Sequence, residues 1–319
     1  MLHSSINKRL MSQITNSILM IKPTGFTYNA ETAENNHFQN PITTQNQKQI
    51  SENALREFDN LVYKLDTKGV NLTVLDPKDN HLNPDAVFPN NWFSVHKDGT
   101  KVLYPMFAKS RRKERDLEIF NLLEKNLNFK IKSTVDLTIY EKENLYLEGT
   151  GSMILDRENK IAYAALSERT SKKILVDFGQ KMNYNIVHFN ALHTVNHIQS
   201  PIYHTNVMMC LGDCFSVICL ETIYDQLEKV KVLNSLQETN KEVIEITAAQ
   251  MNNFAGNMLQ VIGANNSPII VMSQSAFESL NKSQLKKLEK FGEIVFSDLS
   301  TIENYGGGSA RCMMAELFY

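Results

Sequence analysis

The chain closes on Gly306-Gly307-Gly308-Ser309-Ala310-Arg311-Cys312-Met313-Met314-Ala315-Glu316-Leu317. Three consecutive glycines give a backbone that can take positive φ and lets other groups approach closely, which a packed core does not need. A cysteine directly after such a loop reads as a thiol presented to a ligand. The run Cys312–Leu317 is also half of a strand pair whose other half, Ser17–Ile21, opens the chain. Four complete pairs lie between these halves. They are Trp92–His96 with Lys101–Tyr104, Ser152–Leu155 with Ile161–Ala164, Val207–Cys210 with Phe215–Cys219, and Met258–Ile262 with Ile269–Met272.

A segment of 3.6-residue apolar period separates successive pairs. The first covers about Ser51–Thr67, with Leu55, Phe58, Leu61, Val62 and Leu65 on one face. The others cover about Lys113–Asn126, Glu168–Asn183, Thr222–Ser235 and Ser275–Phe291. One more β-rich run follows each: Val70–Leu75, Phe129–Thr134, Tyr184–Phe189, Val243–Ile246 and Ile294–Phe296. The unit recurs about every 50–70 residues, the scale of repeat architectures. A repeat split between the two ends of the sequence implies a closed ring, which removes exposed sheet edges. The expectation is an α/β fold, a five-bladed α/β propeller closed by pairing of the N- and C-terminal strands. It forms one domain over residues 1–319, with residues 1–16 as a flexible N-terminal extension. An ordinary α/β sandwich with alternating elements would show the same periodicity.

With 42% hydrophobic and 21% charged residues among 319, the composition is that of an ordinary globular protein. A formal net charge of -2 argues against a nucleic-acid binder that works through a broad basic surface. No apolar run reaches the roughly 18 residues of a spanning helix, and the segment after Lys8 and Arg9 is too polar for a signal-peptide core. A cytoplasmic protein without membrane contact is expected. Cys210, Cys214 and Cys219 lack the paired spacing of a zinc site. Cys210 and Cys219 read as buried strand residues, and in a reducing compartment all four cysteines are free thiols.

The starts of the inner strands carry polar residues where a strand would ordinarily be apolar. They read Phe88-Pro-Asn-Asn-Trp92, Leu147-Glu-Gly-Thr-Gly151, Tyr203-His-Thr-Asn206, Phe254-Ala-Gly-Asn257 and Ser309-Ala-Arg-Cys312. Five equivalent positions on five blades converge near one axis and supply Asn, Glu, His, Asn and Cys. Taken singly, Glu148 reads as a solvated turn carboxylate, His204 as a hydrogen-bonded strand-end histidine, and the asparagines as turn residues. Their shared place in the repeat makes them a candidate site.

These motifs, together with Phe88–His96, Leu147–Ser152, His204–Met208 and Gly306–Cys312 as blocks, resemble the guanidino-group-modifying enzyme superfamily of pentein fold. Its members include arginine deiminases, dimethylargininases and amidinotransferases. The nearest likeness is to the citrulline-utilization hydrolases related to arginine deiminase, over Met20 to Glu316. The resemblance implies a cysteine-dependent hydrolase with Cys312 as nucleophile, His204 as acid and base, and Glu148 as the carboxylate that orients it. It needs no cofactor and no metal. The family's deiminases grip the cationic guanidinium with two aspartates, whose positions here read Asn91 and Asn206. An amide both donates and accepts, which suits a neutral ureido group, so citrulline is the expected substrate, giving ornithine, carbon dioxide and ammonia. Arginine and dimethylarginine stand as alternatives, and a non-catalytic binding protein as a further one. Protonated His204 would favour the thiolate, since a free cysteine titrates near pH ~8.5. Developing oxyanion charge would meet asparagine side chains or N–H groups of the glycine loop. Arg169 is expected on the substrate carboxylate, or else at a helix start capped by Ser167. Asp85 is expected on the α-amino group, Asn90 beside the clamp, and Asn257 as a turn residue. The partner is a small amino acid, and a homodimer is the expected assembly.

Overall fold

In a computed structural model that describes residues 13–40, 46–77, 83–127, 130–195 and 198–319, five three-stranded mixed sheets follow one another along the chain. Four share one plan: an antiparallel hairpin whose second strand pairs in parallel with a third, reached through a helix. Their strands are Phe93–Val95, Thr100–Leu103 and Ser133–Asp136; Ile154–Asp156, Ile161–Ala165 and Asn185–Phe189; Met209–Leu211, Phe215–Ile218 and Glu242–Glu245; and Leu259–Ile262, Pro268–Ser273 and Glu293–Ser297. The fifth sheet joins the two ends of the sequence. Ser17–Ile21 runs antiparallel to Ala315–Glu316, with Ile18 opposite Glu316, and parallel to Asn71–Leu75.

The helices depart from their expected bounds for identifiable reasons. The first runs Gln47–Thr67 because Asn46 and Gln49 form a capping box that adds a turn. Its buried face is Ile50, Ala54, Phe58, Leu61 and Leu65, while Leu55 is 36% exposed. The expected Ser275–Phe291 helix is two, Gln274–Ser279 and Lys282–Leu288, because Asn281 caps a new start with Gln284. Helix Lys172–Met182 begins after Ser171, so Ser167 is not its cap. Ser167 instead donates to the Tyr203 carbonyl at 2.8 Å. Helix Glu118–Asn126 starts late because Ser110–Glu114 forms a separate 3-10 turn. A hairpin of Leu192–Val195 and Ile198–Pro201 has no counterpart in the repeat.

The flexible extension expected over residues 1–16 lies outside the described residues up to residue 12. Beyond that the expectation fails: Gln13, Ile14 and Thr15 are buried. The Gln13 amide bonds both the Leu155 carbonyl and the Arg157 N–H, which ties the segment to an inner strand.

Three of the inner hairpin strands, and the closing strand, are preceded by one helical turn. These turns are Pro89–Asn91, Gly149–Ser152, Thr205–Met208 and Ala310–Met313. The strands therefore begin one to three residues later than their apolar pattern indicates. Each turn is buried along its length, so its polar side chains face protein and not solvent, and buried polar groups need partners.

Candidate active site

Glu148 stands just before the turn Gly149–Ser152 and is fully buried. One carboxylate oxygen accepts the Phe107 N–H at 2.9 Å. The other accepts from His204 Nε2 at 2.7 Å and lies 3.5 Å from Arg169 Nη1. Burial alone would raise this carboxyl. The Arg169 guanidinium, and then the His204 hydrogen bond, overcome it and hold Glu148 well below the usual carboxylate range. Burial pushes the His204 imidazole the other way, down to about 4, against the pull of Glu148 and with added repulsion from Arg169 and Arg111. Burial thus disfavours charge on His204, whose Nε2 meets the Glu148 carboxylate, and weighs against the expectation that a protonated His204 favours the thiolate. Gly151 permits the arrangement by close approach. A Cβ there would come within 2.4 Å of Asn91 Nδ2 and 2.8 Å of His204 Nδ1.

Cys312 lies on the turn Ala310–Met313 and is 3% exposed. Its sulfur accepts two amide N–H bonds, from Asn257 Nδ2 at 3.1 Å and Asn206 Nδ2 at 3.3 Å. The glycine loop reaches this turn through Gly307, whose φ of 63° is left-handed. The Gly307 N–H bonds the Glu303 carbonyl at 2.9 Å, so it is not available to an oxyanion. The Gly306 and Gly307 carbonyls are already bonded. Gly307 accepts from the Tyr203 hydroxyl and from Asn36, and Gly306 accepts from Asn36 and Gln39.

Asp85, Asn91, Arg111, Arg169, His204 and Cys312 enclose a cavity of only about 20 Å³, room for roughly one water. Three buried polar atoms of this region have no partner: Asp85 Oδ1, Asn91 Nδ2 and Asn206 Oδ1. Asn91 Oδ1 accepts from Arg111 Nη1 at 2.7 Å, which fixes its amide with the donor end free. Asp85 Oδ2 accepts from Asn29 at 2.8 Å and Thr32 at 3.1 Å. Burial raises its carboxyl, offset in part by Arg111. Arg169 is occupied on every arm, at Glu148, at Asn35 Oδ1 (2.7 Å) and at the Thr32 carbonyl (2.6 Å). Asn90 is not a wall of this cavity. Its amide meets Thr150 Oγ1 at 3.4 Å, behind the neighbouring turn.

Two parts of the site went unassigned in the sequence. Arg111 sits in Ser110-Arg-Arg-Lys-Glu114, which reads as a solvated basic helix start. Yet Arg111 is buried, forked onto Glu114 at 2.9–3.1 Å and bonded to the Asp85 and Phe88 carbonyls. The Arg–Glu spacing of three was the one available sign. The segment 29–39 covers the cavity through Asn29, Thr32, Asn35, Asn36 and Gln39 and follows no periodic pattern. Asn257, read as a turn residue, also touches the sulfur. A cleft of about 850 Å³, lined by His37, Phe38, His193 and Phe254 among others, lies on this segment's other side and contains none of Cys312, His204 or Glu148. Among the described residues, no group of three or more His, Cys, Asp or Glu could hold a metal ion, and no helix is long and apolar enough to cross a membrane.

Solved structures share this fold. The N-terminal domain of ArgZ bound to substrate, an arginine dihydrolase from cyanobacteria, matches with a TM-score of 0.71 and 19% identity, over 95% of this chain and 98% of that domain. This chain spans 40% of the longer ArgZ chain. Dimethylarginine dimethylaminohydrolase in an adduct with S-methyl-L-thiocitrulline matches with a TM-score of 0.62 and 15% identity, over 95% of this chain and 99% of that one. No curated protein matches the chain in sequence. The model of the eukaryotic N,N dimethylarginine dimethylhydrolase family matches residues 22–319. The chain, with its cysteine, histidine and glutamate gathered on three inner turns, therefore belongs to the N,N dimethylarginine dimethylhydrolase family, hydrolases of non-peptide C–N bonds within the guanidino-group-modifying superfamily.

Proposed function

We propose that this protein hydrolyses the guanidino group of a methylated arginine, giving citrulline and the free amine. The observation that carries the reading is the small cavity in which Cys312 and the Glu148-backed His204 meet Asp85, whose free Oδ1 suits the α-amino group of an amino acid. The family match favours this substrate over the citrulline expected from the sequence. Neutral His204 takes the thiol proton as the sulfur adds to the guanidino carbon, and Glu148 stabilises the imidazolium so formed. That proton then goes to the departing dimethylamine, and the C–N bond breaks to leave a thiouronium on Cys312. His204 next deprotonates water, which adds to the same carbon, and breaking the C–S bond returns the thiolate and releases citrulline. Asp85 binds the α-amino group through its free Oδ1. The five sheets are read as blades of a closed propeller, which places the inner turns around one axis.

A second reading, hydrolysis of a ureido group as in citrulline, is favoured by Asn91. Arg111 holds its carbonyl end, so the cavity receives an N–H donor there. A donor suits the oxygen of a ureido group and has no partner on a guanidinium. An amino acid is larger than this cavity, so binding requires its walls to rearrange.

Mass spectrometry of products decides between the readings. The protein is incubated separately with N,N-dimethylarginine, arginine and citrulline, with Cys312→Ala as control. Citrulline plus dimethylamine supports the main reading, and ornithine from citrulline supports the second. No turnover of any of them refutes both. Asn91→Asp with Asn206→Asp should raise turnover of the cationic substrates relative to citrulline by about tenfold, because charge-assisted pairs are roughly twice as strong as neutral ones.

A further inference from the structure

We infer that Asn257 is a catalytic residue that stabilises the Cys312 sulfur as the attacking anion, a task that sequence reading gave to His204. The inference rests on Cys312 being the nucleophile of the proposed reaction. Asn257 is fully buried, and its amide has three partners that use both N–H groups. Nδ2 donates to Cys312 Sγ at 3.1 Å and to the Asn206 carbonyl at 2.9 Å, while Oδ1 accepts the Arg311 N–H at 3.1 Å. Turning the amide over would set Oδ1 against two acceptors and the NH₂ group against a donor. Its orientation is therefore fixed with no ligand present, and an N–H points at the sulfur.

Asn206 contrasts with it. Its Nδ2 also reaches the sulfur, at 3.3 Å, but its Oδ1 has no partner, so its amide is less firmly held than that of Asn257. The turn that carries Asn257 is built for this approach. The Asn257 N–H bonds the Phe254 carbonyl at 2.8 Å, and Phe254 takes a left-handed φ of 58°. Gly256 presses on the backbone of Val207, where a Cβ would come within 2.4 Å of the carbonyl oxygen. Non-glycine residues in that region of φ are uncommon and cluster at functional sites.

Among the described residues no cation is hydrogen-bonded to the sulfur, although the buried Arg311 guanidinium on the same turn attracts it through space. Arg311, on the same turn as Cys312, reaches to Glu316 at 3.2 Å. His204 and Tyr203 face the cavity from the adjoining turn, with Glu148 behind His204, and Asp85, Arg111 and Arg169 complete its charged walls. Arg111 and Arg169 are held by Glu114 and Glu148. The direct contacts on Sγ are two amide donors, and donors to a charged form favour that form.

The test is the rate of iodoacetamide alkylation of Cys312 against pH, followed by mass spectrometry and independent of any substrate. Asn257→Asp keeps the shape and the Arg311 contact but removes the donor and adds a negative charge. Asn257→Ser is too short to reach the sulfur and removes the donor without adding a charge. Both should alkylate about tenfold more slowly at pH 7 and converge on the wild-type rate at high pH, with kcat lowered and KM little changed. If Asn257→Asp does not fold, Asn257→Ser carries the test alone. A folded variant with a wild-type alkylation rate at pH 7 would overturn the inference. Slowed alkylation in a protein that turns over none of the amino acids offered would refute the proposed function and leave the role of Asn257 standing.

Discussion

Cys210 and Cys312 are equally hidden, at 4% and 3% exposure, and both stand where an inner turn meets its strand. Their surroundings make them different groups. Cys210 sits in strand Met209–Leu211 within an apolar cluster, beside a small cavity that Arg311 and Glu316 also line, and burial pushes its thiol up to about 12. Cys312 sits on a helical turn where two asparagine amides point at its sulfur, beside a cavity that also holds His204. Burial by itself makes an inert thiol. On the proposed mechanism, what separates a nucleophile from core filling here is the supply of donors and a base by neighbouring turns.

The sharpest test of that contrast is substitution. Cys312→Ala should abolish turnover, by about 10⁴-fold or more, whereas Cys210→Ala should leave kcat within about twofold and lower stability by roughly 1–2 kcal/mol for the small cavity created. Steady-state kinetics and urea unfolding read both effects, and the comparison breaks if Cys210→Ala is as inactive as Cys312→Ala.

Next in size is Glu148→Gln, which keeps the hydrogen bond to His204 but removes the charge that would stabilise an imidazolium. A fall in kcat of about 10²–10⁴-fold is expected, typical of a lost general acid–base contribution. An unchanged kcat would remove His204 from proton transfer and leave the amide donors as the whole difference between the two thiols.

The smallest effect is on stability against pH. His204 is held near 4 in the folded chain, below the ordinary histidine value. The unfolded chain therefore takes up its proton first as pH falls. The stabilising contribution is fully present above about pH 6.5 and is lost between about 6.5 and 4, by at most roughly 3 kcal/mol. Replacing His204 by Gln should flatten the acid limb of the urea midpoint between pH 7 and 4.5. An equally steep limb in the variant would show that His204 is not the group titrating there.

Much of this was legible in the sequence because it is periodic. The hairpin, helix and strand units recur with the right spacing, and the split pair Ser17–Ile21 with the end of the chain closes one sheet as the pattern demands. Cys312, His204 and Glu148 could be found because they occupy the same place in successive units. Residues outside the repeat were harder to read. Arg111 looks like a surface base until its fork onto Glu114 and Asn91 is seen, and segment 29–39 has no apolar rhythm because it packs through side-chain amides and carbonyls.

The sequence by itself determined the order of elements, the pairing of the two ends of the chain in one sheet and the choice of the three residues proposed as reactive groups, because apolar period and repeat position are local properties. Only the tertiary structure decided the burial of His204 against Glu148, the end of the Asn91 amide that faces the cavity, and the donors on the sulfur. Those depend on burial and on partners from distant turns, as when Arg169 meets Glu148 at 3.5 Å and Asn257 meets Cys312 at 3.1 Å across 55 positions of sequence.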